Sequence, residues 1–190
     1  MAKTTIVKVR REDEIAREVA EFLRGKLSTR HYLVEAHSNL LYRFVVDSSG
    51  KTDPEDYLNP TRGQGAFQAD IVVRDQKHKV PLVVIELKSG GFSTHDVLTY
   101  STKAIKHKEI YPYLRYGFLV TDRKFIRDKF FVHNVGFDFA LAVANDAAGR
   151  EELLHVVKRQ LIICSRLISI PKEKKNEIWR YENIVRISAK

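Results

Sequence analysis

Apolar residues recur at helical spacing over 11–27, where Ile15, Val19, Phe22 and Leu23 share one face and charged residues fill the other, so an amphipathic helix is expected there. Residues 31–46 mix β-branched, aromatic and polar side chains and suit one or two strands, with Leu33, Leu40 and Leu41 leaving a helix as the alternative. The stretch 47–65 is rich in Ser, Gly, Asp, Pro and Asn and reads as a long polar loop. Beyond it the pattern sharpens. Residues 66–73 (AFQADIVV) and 80–88 (VPLVVIELK) are β-type runs joined by a polar turn, which predicts an antiparallel hairpin whose second strand is apolar on both faces, as a central strand is. Ser93 or Thr94 is placed to cap a helix over 95–110. Strands are expected at 116–121 (YGFLVT), 130–133 and 137–143 (FDFALAV), with Gly136 at a turn, and a second amphipathic helix at 151–168 through Leu153, Leu154, Val157 and Leu161. A basic tail follows from 172, with 184–187 as a strand or docking segment.

This order of elements predicts an α/β fold with a mixed central sheet flanked by helices. The 190 residues suffice for one domain with a substantial apolar core, expected over about 11–168. No apolar run approaches the ~20 residues of a membrane span, and residues 1–11 lack the apolar segment of a secretory signal, so a cytoplasmic protein without a membrane partner is expected. The single cysteine, Cys164, sits in an apolar run and is expected as a buried hydrophobe. A net charge of +9 raises the weight of a polyanionic partner, although solvated lysines give the same total.

The chemistry concentrates in the hairpin. Residues two apart on a strand share a face, so Glu86 and Lys88 project together from the end of an apolar run. Asp70 interrupts the partner strand between Ala69 and Ile71, where an isolated carboxylate costs several kcal/mol unless Lys88 or a metal ion accompanies it. An internal ion pair explains these charges with no further function. Two carboxylates and a lysine also form a hydrolytic set: hard oxygen ligands for magnesium, and an ammonium that orients or deprotonates water and offsets negative charge.

Asp70 followed by Glu86-Leu87-Lys88 resembles the PD-(D/E)XK nuclease superfamily, which includes restriction endonucleases, junction resolvases and the nuclease domains of type I restriction motor subunits. The stretch from Gln68 to Lys88 is similar to the last of these, with Ala69 where the family usually has proline. The resemblance covers roughly 11–143, although only the hairpin is specific, and the segments YGFLV and GFDF look like strands that complete the core of restriction-type members. It implies a restriction-endonuclease-like fold, Asp70 and Glu86 as ligands of Mg2+ with Mn2+ as a substitute, and Lys88 as the assisting base or cation. It also implies a first-helix glutamate, for which Glu18 is preferred over Glu12; both border the apolar face. Tyr100 and Lys103 stand where family members often place helix residues towards the metal.

DNA contacts are expected from Gln68, Arg62, Lys103 and Lys106, within a chain region that interleaves basic and aromatic residues. The expected activity is Mg2+-dependent endonucleolytic cleavage of double-stranded DNA, of restriction type, and paired cuts on a duplex would favour a homodimer. A junction or repair nuclease and a non-catalytic DNA-binding module of the same fold are the alternatives. Neither zinc-ligand spacing nor a GxxxxGK[ST] phosphate loop occurs in the sequence.

Overall fold

The computed structural model describes residues 12–54, 57–61, 63 and 65–170. The first helix, α1 (Glu12–Lys26), buries Ile15, Ala16, Val19, Ala20 and Leu23, the face that the helical spacing predicts. It leads into β1 (Tyr32–Leu41). The polar stretch that follows is not wholly irregular: β2 (Val45–Val46) and β3 (Thr52–Asp53) form a small antiparallel hairpin, turned by Asp47, whose carboxylate accepts the backbone N–H groups of Ser49 and Lys51. The main hairpin forms as its alternation predicts, with β4 (Ala66–Asp75) antiparallel to β5 (Pro81–Ser89).

The remaining elements are α2 (Thr94–Ile110), β6 (Arg115–Thr121), α3 (Asp128–His133), β7 (Phe139–Val143) and α4 (Ala147–Ser169). Ser93 caps α2 in a reciprocal box with Asp96, which the sequence anticipates as a cap. The stretch 130–133, expected as a strand, is instead the short helix α3. Its two phenylalanines serve different surroundings: Phe130 is buried against Phe118 and Phe137, whereas Phe131 is exposed. The basic tail from 172 and its 184–187 segment lie outside the described residues.

The five main strands form one sheet in the order β1-β4-β5-β6-β7. The β1, β4 and β5 pairs are antiparallel, and β5, β6 and β7 run parallel. This is an α/β fold with a mixed central sheet flanked by helices. One face, with Ile71, Val73, Val83, Ile85 and Leu87, packs on α1 and α4. The other, with Val72, Val84, Tyr116, Phe118 and Val120, packs on α2 and α3. Every residue of β5 from Pro81 to Leu87 is buried, as a strand covered on both faces requires. Cys164 is buried, and burial raises its thiol pKa to about 12, so it acts as a core residue. No helix among the described residues is long and apolar enough to cross a membrane.

Candidate functional site

The carboxyl ends of parallel strands gather chain ends at one rim of the sheet, where ligand sites of open α/β sheets commonly lie. Glu86 and Lys88 occupy that end of β5. The β4–β5 ladder runs from Arg74↔Pro81 to Ile71↔Ile85, and its continuation sets Asp70 opposite Glu86. On its other side β4 pairs with β1 at Ala36↔Ile71 and Ser38↔Ala69, but the intervening His37 is missing from the ladder and has a left-handed φ of 54°. Backbone pairing is therefore interrupted around Asp70, and its Oδ2 accepts the Leu87 N–H at 2.7 Å.

Glu86 is 1% exposed. Its Oε1 accepts from the Tyr116 hydroxyl at 2.6 Å and from Lys103 Nζ at 2.7 Å. Burial pushes the Glu86 pKa up, Lys103 works against that rise, and the nearby Asp70 charge adds to it. Lys103 also donates to the Gln68 carbonyl at 2.8 Å. Lys88 lies apart from Glu86: its Nζ is 3.1 Å from Glu12 Oε2 and 3.6 Å from Asp96 Oδ1. Burial alone would lower the Lys88 pKa, but the hydrogen bond to Glu12 and the charges around it raise it overall. Lys88 is thus held as an ammonium at neutral pH, a donor and counter-charge; deprotonating a water is not a role this environment favours. The Tyr100 ring lies 5.4 Å from the Lys88 ammonium and 5.1 Å from that of Lys103, a cation–π contact with each.

The sequence-derived residues fare differently. Asp70, Glu86 and Lys88 share the α2 side of one sheet end, where α2 brings Tyr100 to Lys88 and Lys103 to Glu86. The cation accompanying Glu86 is Lys103, which the sequence singles out only as a helix and DNA-contact candidate, while Lys88 is engaged elsewhere. Glu18 does not reach this group. It pairs with Arg150 of α4 at 2.8 Å, and the first-helix carboxylate at the site is Glu12, which also accepts the Ser89 N–H at 3.1 Å. Both border the apolar face of α1, but six residues separate them, about 9 Å along the axis, so they meet different parts of the molecule. Gln68 contributes its backbone carbonyl to Lys103, and its side-chain amide donates to the His37 carbonyl at 3.3 Å. Lys106 turns away and pairs with Glu109 at 2.9 Å on an exposed face. Arg62 lies outside the described residues.

Asp96 and Tyr116 were passed over in the sequence. Asp96 reaches Lys88 from the first turn of α2, where it completes the Ser93 capping box, and Tyr116 reaches Glu86 through the parallel pairing of β5 with β6. The loop after β6 also adjoins the site: Arg123 Nε donates to the Gly90 carbonyl, and Ser89 Oγ donates to Asp122 at 3.2 Å. The same loop carries Lys124, Arg127 and Phe125, all exposed.

A buried histidine supports the site from behind. His107 is 0% exposed, stacks on Tyr116 with ring centroids 5.8 Å apart, and has Nδ1 2.9 Å from the Leu41 carbonyl. That carbonyl only accepts, so the proton resides on Nδ1 and the buried Nε2 is left without a partner in the structure. Burial is the main cause lowering the His107 pKa, to about 4 from 6.5. The unfolded chain then takes up a proton before the folded one, so stability is complete above pH 6.5 and falls as pH drops towards 4, by at most about 3 kcal/mol. His107→Phe is expected to remove this pH-dependent part, measured as urea midpoints at neutral and acidic pH. An undiminished acid loss in the variant would refute that assignment.

Among the described residues, no group of three or more His, Cys, Asp or Glu side chains is arranged to hold a metal ion. Asp70 and Glu86 instead offer two hard carboxylates, a donor number that Mg2+ accepts when waters and substrate phosphate complete its shell. Their chemistry fits such an ion. No family model, curated protein or solved structure matches this chain.

Proposed function

We propose that the chain is a Mg2+-dependent DNA endonuclease of PD-(D/E)XK type, hydrolysing phosphodiester bonds at the Asp70–Glu86–Lys88 end of the sheet. The observation that carries this reading is that two carboxylates from adjacent strands face each other beside two lysines at the carboxyl end of the parallel strands. Asp70 and Glu86 would hold Mg2+, or Mn2+ in its place. When bound, the ion supplies a positive charge that stabilises the developing negative charge on the phosphate. Lys88, protonated by its surroundings, orients the attacking water through its N–H groups and offsets phosphate charge. Glu12 and Asp96 hold that ammonium in position from α1 and from the start of α2. Arg123, Lys124 and Arg127 supply sequence-independent contacts to the backbone of double-stranded DNA. A restriction role, a second copy of the chain for cutting the opposite strand, and a cytoplasmic setting belong to the same proposal.

The test is conversion of supercoiled plasmid to nicked and linear forms with Mg2+, compared with the same protein in chelator. Retardation of the plasmid without any cutting would favour a non-catalytic DNA-binding module instead. Preferential cutting of a four-way junction over linear duplex would move the activity to the junction-resolving class. Within this reading Glu12→Gln is expected to lower the cleavage rate about tenfold, because Lys88 loses a charged partner. Glu18→Gln is expected to leave it unchanged and cost under ~1 kcal/mol, as for a partly exposed ion pair. Equal cleavage rates for the two variants would show that Glu12 does not position Lys88.

A further inference from the structure

The carboxylate of Glu86 already has a cation. Lys103 Nζ sits 2.7 Å from Glu86 Oε1, fixed there by the Gln68 carbonyl at 2.8 Å and by the Tyr100 ring at 5.1 Å. Its side chain is only 15% exposed and Glu86 only 1%. The same Glu86 oxygen also accepts from Tyr116, so one carboxylate atom is crowded by two donors. A divalent ion shared by Asp70 and Glu86 would bring its charge to this carboxylate from the Asp70 side. Two cations at such range in a poorly solvated place repel strongly.

We propose that Lys103 is a displaceable counter-cation: its ammonium and the divalent ion compete for Glu86, and loading the ion drives Lys103 out of that contact. The inference rests on the metal reading of Asp70 and Glu86 above and adds to it a control on when the ion enters. Lys103 is suited to the part. A lysine is a point charge on a flexible stem with four rotatable carbons, and it can leave a contact without moving the helix that carries it. Without the ion, it compensates a buried carboxylate that would otherwise be costly. Once displaced, it remains at the same end of the sheet as Lys88, where a substrate phosphate approaches.

The decisive measurement is Mn2+ binding to the full chain by titration calorimetry, with Mn2+ electron paramagnetic resonance as a second readout. The titration is run at mildly alkaline pH, so that Glu86 stays ionised in variants that lack its counter-cation. Lys103→Gln keeps a donor and removes the charge, and is expected to bind Mn2+ about tenfold or more tightly than the unsubstituted chain. Lys103→Met provides the same comparison without a donor. Asp70→Asn combined with Lys103→Gln is expected to lose the tight binding, which places it at this site. In the unsubstituted chain, amine-reactive labelling of Lys103, read by mass spectrometry, is expected to rise when Mn2+ is added. This last measurement decides the matter even where the variants fail to fold.

Equal or weaker Mn2+ binding by folded Lys103→Gln, or Lys103 labelling unchanged at saturating Mn2+, would overturn the competition while leaving the metal site standing. Absence of Mn2+ binding from the unsubstituted chain and both Lys103 variants would overturn the metal site, and the competition with it.

Discussion

Asp70→Asn is expected to reduce Mg2+-dependent plasmid cleavage about a thousandfold while the protein stays folded and still retards DNA in a gel. The substitution is nearly isosteric. The asparagine carbonyl oxygen can still accept the Leu87 N–H that Asp70 Oδ2 accepts at 2.7 Å, so the local strand geometry has its anchor. What is lost is one of the two negative charges facing each other across β4 and β5, and with it half of the anionic donor set. Lys88→Ala is expected to fall by about a hundredfold to a thousandfold, because a single preorganised donor is removed from the reacting phosphate. It also leaves Glu12 and Asp96 together without the ammonium between them, so added salt should partly restore its stability and not its activity. Undiminished cleavage by both variants would mean that the cutting arises elsewhere, in this chain or in a contaminant.

Gly117→Val is expected to destabilise the fold by about 3 kcal/mol or more, read as a lower urea midpoint with the slope unchanged. The reason is packing, since the strand backbone at Gly117 needs no left-handed conformation. Gly117 pairs with Ile85 on one side and Phe139 on the other, and a Cβ there would enter the Phe139 ring. β6 is an interior strand, so the ring cannot be relieved by moving an edge. Combining Gly117→Ala with Phe139→Leu should cost less than the sum of the single changes, because the smaller side chain vacates the space that the new methyl requires. A midpoint for Gly117→Val indistinguishable from the unsubstituted chain would show that the Phe139 ring yields freely. Because β6 also carries Tyr116 to Glu86, the loss would be expected to reach the site as well as the core.

The hairpin at the centre of these arguments is legible in the sequence because its signal is local. Alternation, a polar turn and a doubly apolar second strand fix β4, β5 and the shared side of Glu86 and Lys88. The helices α1, α2 and α4 are legible for the same reason, through periodicity and, for α2, its Ser93 cap. Residues 130–133 are not: a run this short has no period to read, and the pocket made by Phe118 and Phe137 decides that Phe130 turns in from a helix. The small β2–β3 hairpin is likewise too short to stand out from a polar loop. At the site, a helical wheel reports which face a residue shares but not its height along the axis, which is why Glu12 and Glu18 look alike in sequence and meet Lys88 and Arg150 in space. The contact between Lys103 and Glu86 joins a helix to a strand through tertiary packing, and no spacing rule encodes it.

The turn between β4 and β5 has a practical consequence. It joins Asp75 to Pro81 at the rim remote from Asp70 and Glu86, and the six strand residues from Pro81 to Glu86 span about 17 Å. His78 there is solvent-facing and pairs with its neighbour Asp75. A fluorophore or affinity handle grafted at that bend would report on the chain, or tether it to a surface, with the Asp70–Glu86 end left pointing outward.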